Sequence, residues 1–205
     1  MRTLAIDTAT EACSVALFDD DRLVAHRHEV VGRGHAEKLA PMLAGLPGRG
    51  RAGRVLVDCG PGSFTGLRVG LAMARALALA WKAQCAGYSS LALMAAAEFA
   101  KKDAPDRLAV AILGGHGEMF VERFQRTPFA SLAPFASLRP DAAAEVIEEP
   151  LVIGNAAHDV VALRGGGEAR EALPDAAALS CLPAERRNLP PAPIYGRAPD
   201  AKPQQ

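Results

Sequence analysis

The chain has 205 residues, with 23 Lys and Arg against 23 Asp and Glu, 50% apolar residues, 5% aromatic residues and four cysteines. That length supports one large domain or two small ones whose cores need no disulfide help. A formal charge of zero and a pI near 7.0 exclude a nucleic-acid binder that works by bulk positive charge.

The run from Met1 to Ile6 stops at Asp7, the wrong shape for a signal peptide. The most apolar stretch, Val69 to Trp81, is interrupted by Arg75 and falls short of the roughly 20 residues of a membrane span. A soluble cytoplasmic protein without a membrane partner is expected. Arg2 to Asp7, Ala12 to Phe18 and Arg22 to Val30 read as extended segments whose short connections allow only antiparallel neighbours. From His35 to Leu46 the residues Leu39, Met42, Leu43 and Leu46 recur at helical spacing, ended by Pro47-Gly48. Arg54 to Cys59 is a buried-strand pattern running into Gly60-Pro61-Gly62.

A long helix is expected from Gly66 to Lys82, apolar nearly all round, with Arg68, Arg75 and Lys82 at intervals of seven. Gly66, Gly70, Ala74 and Ala78 share one smooth face. The two glycines cost about 1 kcal/mol each relative to alanine, which close packing would offset. Gly87 breaks the chain, and Ser89 to Ala100 reads as an alanine-rich helix capped by Ser89 or Ser90. The composition shift at Lys101 to Asp106 places a boundary between a first unit, 1–102, and a second, 103–205. Beyond it, Leu108 to Leu113 and Glu118 to Phe124 suggest a strand pair around Gly114 to Gly117. The echo Pro128 to Ala133 and Pro134 to Arg139 (PFASLA, PFASLR) reads as an irregular connector. Leu151 to Ile153 is a strand, Gly154-Asn155 a turn, and Ala156 to Leu163 and Asp175 to Cys181 are helices; the tail from Pro190 is expected to be extended or frayed.

The sharpest motif is GPGSFTGLRVG, Gly60 to Gly70, between a buried strand and a long helix. Such a turn points backbone N–H groups outward and suits an anion. It is neither a P-loop, because no Lys-Ser or Lys-Thr follows its last glycine, nor a nucleophile elbow. The alternative is a tight turn that packs a helix on a sheet, with Ser63 or Thr65 as cap. Asp7-Thr8-Ala9-Thr10 is the second candidate: an acid and hydroxyls that could hold a phosphate or a magnesium-bound water, or make a plain Asx or ST turn. The phosphate-binding candidates are thus Asp7, Thr8, Thr10, Gly60, Gly62, Ser63 and Thr65. His26 and His28 lack a third metal ligand in sequence, and the four cysteines, Cys13, Cys59, Cys85 and Cys181, form no C-x-x-C pair.

The chain resembles the TsaB (YeaZ) family. The residues that carry this are Asp7 to Thr10 with Cys13 to Leu17, His35 to Pro41, above all Gly60 to Gly70, and then Tyr88 to Leu91, Gly117 to Phe120, Gly154-Asn155 and Pro193 to Arg197. The resemblance implies an α/β fold of the actin/Hsp70/sugar-kinase type (ASKHA), two subdomains with mixed sheets flanked by helices. It implies a non-catalytic subunit in making threonylcarbamoyladenosine (t6A) on tRNA, paired with a TsaD-type catalytic paralogue, with a TsaE-type ATPase acting on the complex and tRNA met only indirectly. It implies no catalytic or metal residue in this chain and no cofactor held by it alone, and leaves open whether ADP or ATP sits at the junction of the complex. Ser90 and Met94 stand where the paralogue has a His-x-x-x-His metal pair, and neither replaces an imidazole. The family's usual Asp-Ala-Arg is replaced by Leu113-Gly114-Gly115.

By the same resemblance the two helices of the first subdomain form the partner surface: His35, Leu39, Met42, Leu46, Gly66, Arg68, Gly70, Met73, Ala74 and Leu77. A homodimer through these helices is expected when the chain is alone. Gly70→Leu or Ala74→Arg is expected to break association and leave the fold intact. The competing reading is an independent nucleotide-binding phosphotransferase or ATPase, which lacks an evident second acid for magnesium; a peptidase would lack a metal pair or a nucleophile with its base.

Overall fold

The computed structural model describes residues 1–195. Two sheets and three helical layers alternate through the molecule. The first sheet has the order β3-β2-β1-β4-β5, built from β1 (Arg2–Asp7), β2 (Ala12–Asp19), β3 (Arg22–Val30), β4 (Arg54–Asp58) and β5 (Gln84–Tyr88). β1 runs antiparallel to β2 and parallel to β4. α1 (His35–Ala44) and α2 (Phe64–Trp81) cover one face, and α3 (Ser90–Phe99) covers the other.

Side-chain parity explains the layering, because successive residues of a strand point to opposite faces. Leu4, Ile6, Val15, Leu17, Val55 and Val57 join one core with Leu39, Met42, Leu71 and Ala74. Their neighbours Ala5, Ala16, Phe18 and Leu56 join a second core around α3. β1, β2 and β4 are apolar on both faces because both faces are covered.

The second sheet is built on β6 (Arg107–Leu113), β7 (Met119–Gln125), β10 (Leu151–Ile153) and β11 (Glu168–Arg170), with β8 (Ala130–Ser131) and β9 (Ala136–Leu138) both paired to β7. Leu108, Val110 and Ile112 face α3, while Ala109 and Ala111 face α4 (Pro140–Val146) and α5 (Ala157–Arg164). α3 is therefore sandwiched between the two sheets, which accounts for burial of nine of its ten residues. This is the α/β architecture of two mixed sheets with flanking helices that the resemblance implied.

Several expectations need correction. α1 ends at Ala44, so Leu46 lies beyond it; β5 and α4 carry no clear sequence signal; and the segment expected as a helix at Asp175 to Cys181 is a 3₁₀ turn over Ala176–Cys181. The echo is ordered: each copy supplies a short strand, and Phe129 and Phe135 pack on Phe124 and Phe120 of β7 at centroid distances of 5.7 and 6.5 Å. The chain after Asp175 returns to the first sheet. Ala176 N–H donates to Ser14 Oγ at 2.9 Å, and Leu189 pairs with Gly87 on the free edge of β5. Residues 190–195 are not frayed: Ile194 N–H donates to Cys59 O at 2.7 Å. Gly196 and Arg197, part of the resemblance, lie outside the described residues.

Candidate functional site

β1 and β4 are parallel neighbours, so their last residues, Asp7 and Asp58, bring two carboxyls to one end of the sheet. Both are fully buried. Asp7 accepts from Ala9 N–H at 3.2 Å and from Tyr88 Oη at 3.3 Å. Asp58 accepts from Thr8 N–H at 2.7 Å and from Ser90 Oγ at 3.4 Å. Burial is the main reason both carboxyls titrate above the usual range, and for Asp7 the Asp58 charge adds to it. Donors to Asp58 from Thr8, Gly60 and Ser90 oppose the shift without cancelling it. Asp58 was missed in the sequence reading, although an acid ending a buried Val-Leu-Val strand is a visible signal.

The glycine turn closes over this pair. A Cβ on Gly62 would sit 2.2 Å from Ala9 O, one on Gly66 2.2 Å from Thr8 O, and one on Gly70 2.3 Å from Thr8 Oγ1. Three glycines are thus needed so that the turn and the first turns of α2 can lie directly on the Asp7–Thr10 hairpin. Gly60 has a φ of +93°, which side chains rarely adopt. Ser63 N–H donates to Ala9 O at 2.6 Å, and Ser63 Oγ caps α2 by accepting from Gly66 N–H at 3.3 Å. Among the expected phosphate-binding residues, Asp7, Thr8, Thr10 and Gly60 are buried, Gly62 is half-buried, and Ser63 and Thr65 are exposed. The structure brings these residues together, and the chain itself supplies polar contacts to Asp7, Thr8, Thr10, Gly60 and Ser63.

Among the described residues no group of three or more His, Cys, Asp or Glu is placed to hold a metal. Ser90 is buried on Asp58, and Met94 lies in the apolar core around α3. The thiols of Cys13 and Cys59 are pushed up to about 11, chiefly by burial, and are poor nucleophiles.

The expected partner residues divide. His35 is buried, with Nε2 2.8 Å from Thr10 O, and Leu39, Met42, Leu46, Gly66, Gly70 and Ala74 are likewise buried in this chain. Arg68 is exposed and Met73 and Leu77 are half-exposed. The Gly66-Gly70-Ala74-Ala78 face therefore packs inward, on the chain's own hairpin and sheet. Gly70→Leu or Ala74→Arg would damage the fold itself, contrary to the expectation above.

The outward face of α2 carries a different ridge. Phe64, Arg68, Ala72, Ala76 and Ala80 recur every four residues and are all exposed, and Leu79 beside them is 83% exposed. α1 adds a second exposed ridge, Ala36, Ala40 and Ala44. α2 is long and apolar enough to cross a membrane by length and composition, with a mean hydropathy of 1.2, yet a third of it is buried against the sheet. Its apolar character on both sides arises because one face packs inside while the other is left outside.

The two lobes are tied across their junction. Asn155 Nδ2 donates to both carboxylate oxygens of Glu11 at 2.9 and 3.1 Å.

Comparison with known proteins places this geometry. Residues 29–131 match the family model described as TsaD, tRNA N6-adenosine threonylcarbamoyltransferase. The chain is 41% identical over 133 residues to the tRNA threonylcarbamoyladenosine biosynthesis protein TsaB of Escherichia coli K12, covering 62% of this chain and 56% of that protein. It is 40% identical over 101 residues to TsaB of Haemophilus influenzae, covering 47% and 42%. The chain thus spans about half the length of the curated relatives it matches. Among solved structures, YeaZ from Pseudomonas aeruginosa superimposes with a TM-score of 0.77 at 25% identity, covering 95% of this chain and 99% of that one. The ethanolamine utilization protein EutJ from Carboxydothermus hydrogenoformans shares the fold, with a TM-score of 0.51 at 12% identity over 89% and 90%. A family model matched over half the chain, relatives at 40% identity and a shared two-lobed fold lead to one assignment: the chain is a member of the broader TsaD family that the model describes and, within it, of the TsaB (YeaZ) family.

Proposed function

We propose that this chain is a non-catalytic subunit in t6A formation on tRNA, docking through the outer faces of α1 and α2 onto a TsaD-type catalytic paralogue and holding it in its competent conformation. The observation that carries the reading is the exposed alanine ridge Ala72-Ala76-Ala80 with Leu79, beside Ala36-Ala40-Ala44 on the neighbouring helix. Small residues every four positions let a second helix approach closely, and a contiguous apolar surface of this kind marks an interaction site. Binding to one conformation of the paralogue shifts its population toward that state. Alone, the chain covers the same face by pairing with a second copy. A TsaE-type ATPase acts on the assembled complex, tRNA is met through the paralogue, and the assembly works in the cytoplasm.

Geometry argues against the phosphotransferase alternative. The two acids that could hold magnesium, Asp7 and Asp58, are buried and spent on Ala9, Thr8, Tyr88 and Ser90. The two sheet units that would have to part around a nucleotide are tied by Glu11–Asn155. On this reading, ADP or ATP finds a place only at the junction with the paralogue. Among the described residues the peptidase reading finds no activated nucleophile, the thiols of Cys13 and Cys59 being pushed up by burial.

The test is reconstitution of tRNA modification with and without this chain, together with co-elution of the two proteins. The reading predicts a stable complex, modification that depends on the chain, and no ATP turnover by the chain alone. Modification at full rate without it, or intrinsic turnover, would overturn the reading.

A further inference from the structure

Strand register places Thr3 of β1 between Phe18 of β2 and Arg54 of β4. By parity all three lie on the face of the first sheet that carries Ala5, Ala16 and Leu56. The 3₁₀ turn Ala176–Cys181 and the chain on to Arg187 lie over this end of the sheet and leave between them a cavity of about 160 Å³. Its floor is apolar: Phe18, Leu56 and Leu179 line it, and none is more than 2% exposed. A cavity of about this size admits a molecule of benzene's bulk.

Two arginines line the same cavity, and they stand differently. Arg187 is fully engaged: Nε donates to Leu182 O, Nη2 to Ser180 O, and Nη1 to the carboxylate of Asp21 at 2.7 Å. Arg54 is half-buried and meets only neutral acceptors, Arg187 O at 2.7 Å and Asn188 Oδ1 at 2.6 Å, both through Nη2. Among the described residues no carboxylate pairs with it, and its Nε and Nη1 have no acceptor. Asp20, the other acid at the rim, is paired with the amino-terminal ammonium. Thr3 is only 8% exposed, and among the described residues its hydroxyl has no hydrogen-bond partner. No side-chain polar atom sealed inside the described residues lacks a partner, so this hydroxyl opens onto the cavity. A hydroxyl and an unmatched guanidinium at paired register positions, above an apolar floor, make a polar demand that the chain does not meet.

We propose that this cavity binds a small monocarboxylic acid with an apolar body, its carboxylate on Arg54 and the Thr3 hydroxyl and its body against Phe18, Leu56 and Leu179. A guanidinium N–H given to a carboxylate is the stronger kind of hydrogen bond, and the hydroxyl adds a second donor. An inorganic anion leaves the apolar floor uncovered, and a neutral molecule leaves Arg54 without a counter-charge. The bound acid touches the first sheet and the returning chain at once, at Leu56 and Leu179, more than a hundred positions apart. Occupancy therefore stabilises that return. The site lies at the start of β1 and β4, the end of the sheet away from Asp7 and Asp58, and does not depend on the reading of α1 and α2.

The probe is benzoate, followed on the full chain by amide chemical shifts and calorimetry, for wild type, Arg54→Gln and Thr3→Val, each checked for an unchanged unfolding midpoint. Benzyl alcohol and inorganic phosphate serve as the neutral comparison and the comparison without an apolar body. Benzoate is expected to move the amides of Thr3, Leu56, Leu179 and Ser180, with a Kd of about 1 mM or lower. Arg54→Gln should weaken it about tenfold or more and Thr3→Val about threefold or more, and wild type should bind each comparison probe at least about tenfold more weakly than benzoate. If Arg54→Gln does not fold, Thr3→Val and the three probes on wild type decide. Unmoved amides in about 20 mM benzoate would leave the cavity to water and overturn the proposal. Benzoate binding within about twofold of wild type in both variants, or phosphate bound as tightly as benzoate, would overturn it equally.

Discussion

Thr8 is held from several sides: its N–H is given to Asp58, its hydroxyl donates to Gly66 O at 2.8 Å, and Gly70 passes too close to admit a methyl group. Gly70→Ala is therefore expected to lower unfolding free energy by about 2 kcal/mol, by displacing Thr8 and breaking its bond to α2; a denaturant midpoint measures it, and an unchanged midpoint contradicts the close approach. The buried carboxyls predict a pH signature. Unfolded, Asp7 and Asp58 titrate near 4; folded, they keep their protons to higher pH. Their contribution is fully present below about pH 4 and is lost as pH rises through the raised folded values, by up to about 1.4 kcal/mol per pH unit for each proton held. Asp58→Asn, whose amide can accept from Thr8 N–H and donate to Ser90, should flatten that decline. Thermal unfolding between pH 5 and 8 reads the difference, and parallel curves for the two proteins would contradict it. At this scale the glycine motif was legible, but its use was not. A Gly-rich turn binds an anion or packs on backbone according to what lies above it, and Ala9 and Thr8 come from a hairpin more than fifty residues earlier in the chain.

Periodicity located α2 to within two residues at each end, yet it could not say which side of the helix faces in. Both the Gly66-Gly70-Ala74-Ala78 row and the Ala72-Ala76-Ala80 row are small and apolar. The choice is made by the hairpin, against which the glycines alone can close. β5 escaped notice because Gln84-Cys85-Ala86-Gly87-Tyr88 has no β-branched residue; it is a strand because it pairs in parallel with β4. The orientation of α2 yields a contrast between adjacent outer and inner positions. Ala74→Arg puts a charge into a fully buried site and is expected to destabilise by several kcal/mol, about 3 or more. Ala76→Arg, exposed, should change stability by less than about 0.5 kcal/mol. Unfolding midpoints of the two variants check this, and equal losses would mean that the helix is turned the other way.

At the scale of the molecule, the two-sheet α/β fold was implied by the family resemblance, while strand and helix patterns located single elements. The return of the chain after Asp175 was not readable, because Ser14–Asp175, Gly87–Leu189 and Cys59–Ile194 join residues more than a hundred positions apart without a local pattern. The lobe contacts carry their own prediction. Asn155→Ala removes both bonds to Glu11 and the acceptor for Leu113 N–H, and should cost about 1–2 kcal/mol. Amide exchange should quicken at the junction, and unaltered exchange there would show that the tie is not stabilising. The central claim is that the molecule acts through an outer surface rather than through its buried acids. The most direct measurement is the rate of tRNA threonylcarbamoylation by the paralogue as this chain is titrated in, wild type against Ala76→Arg. The account predicts that wild type restores the rate and that folded Ala76→Arg fails to do so at matching concentrations; full restoration by Ala76→Arg would contradict it.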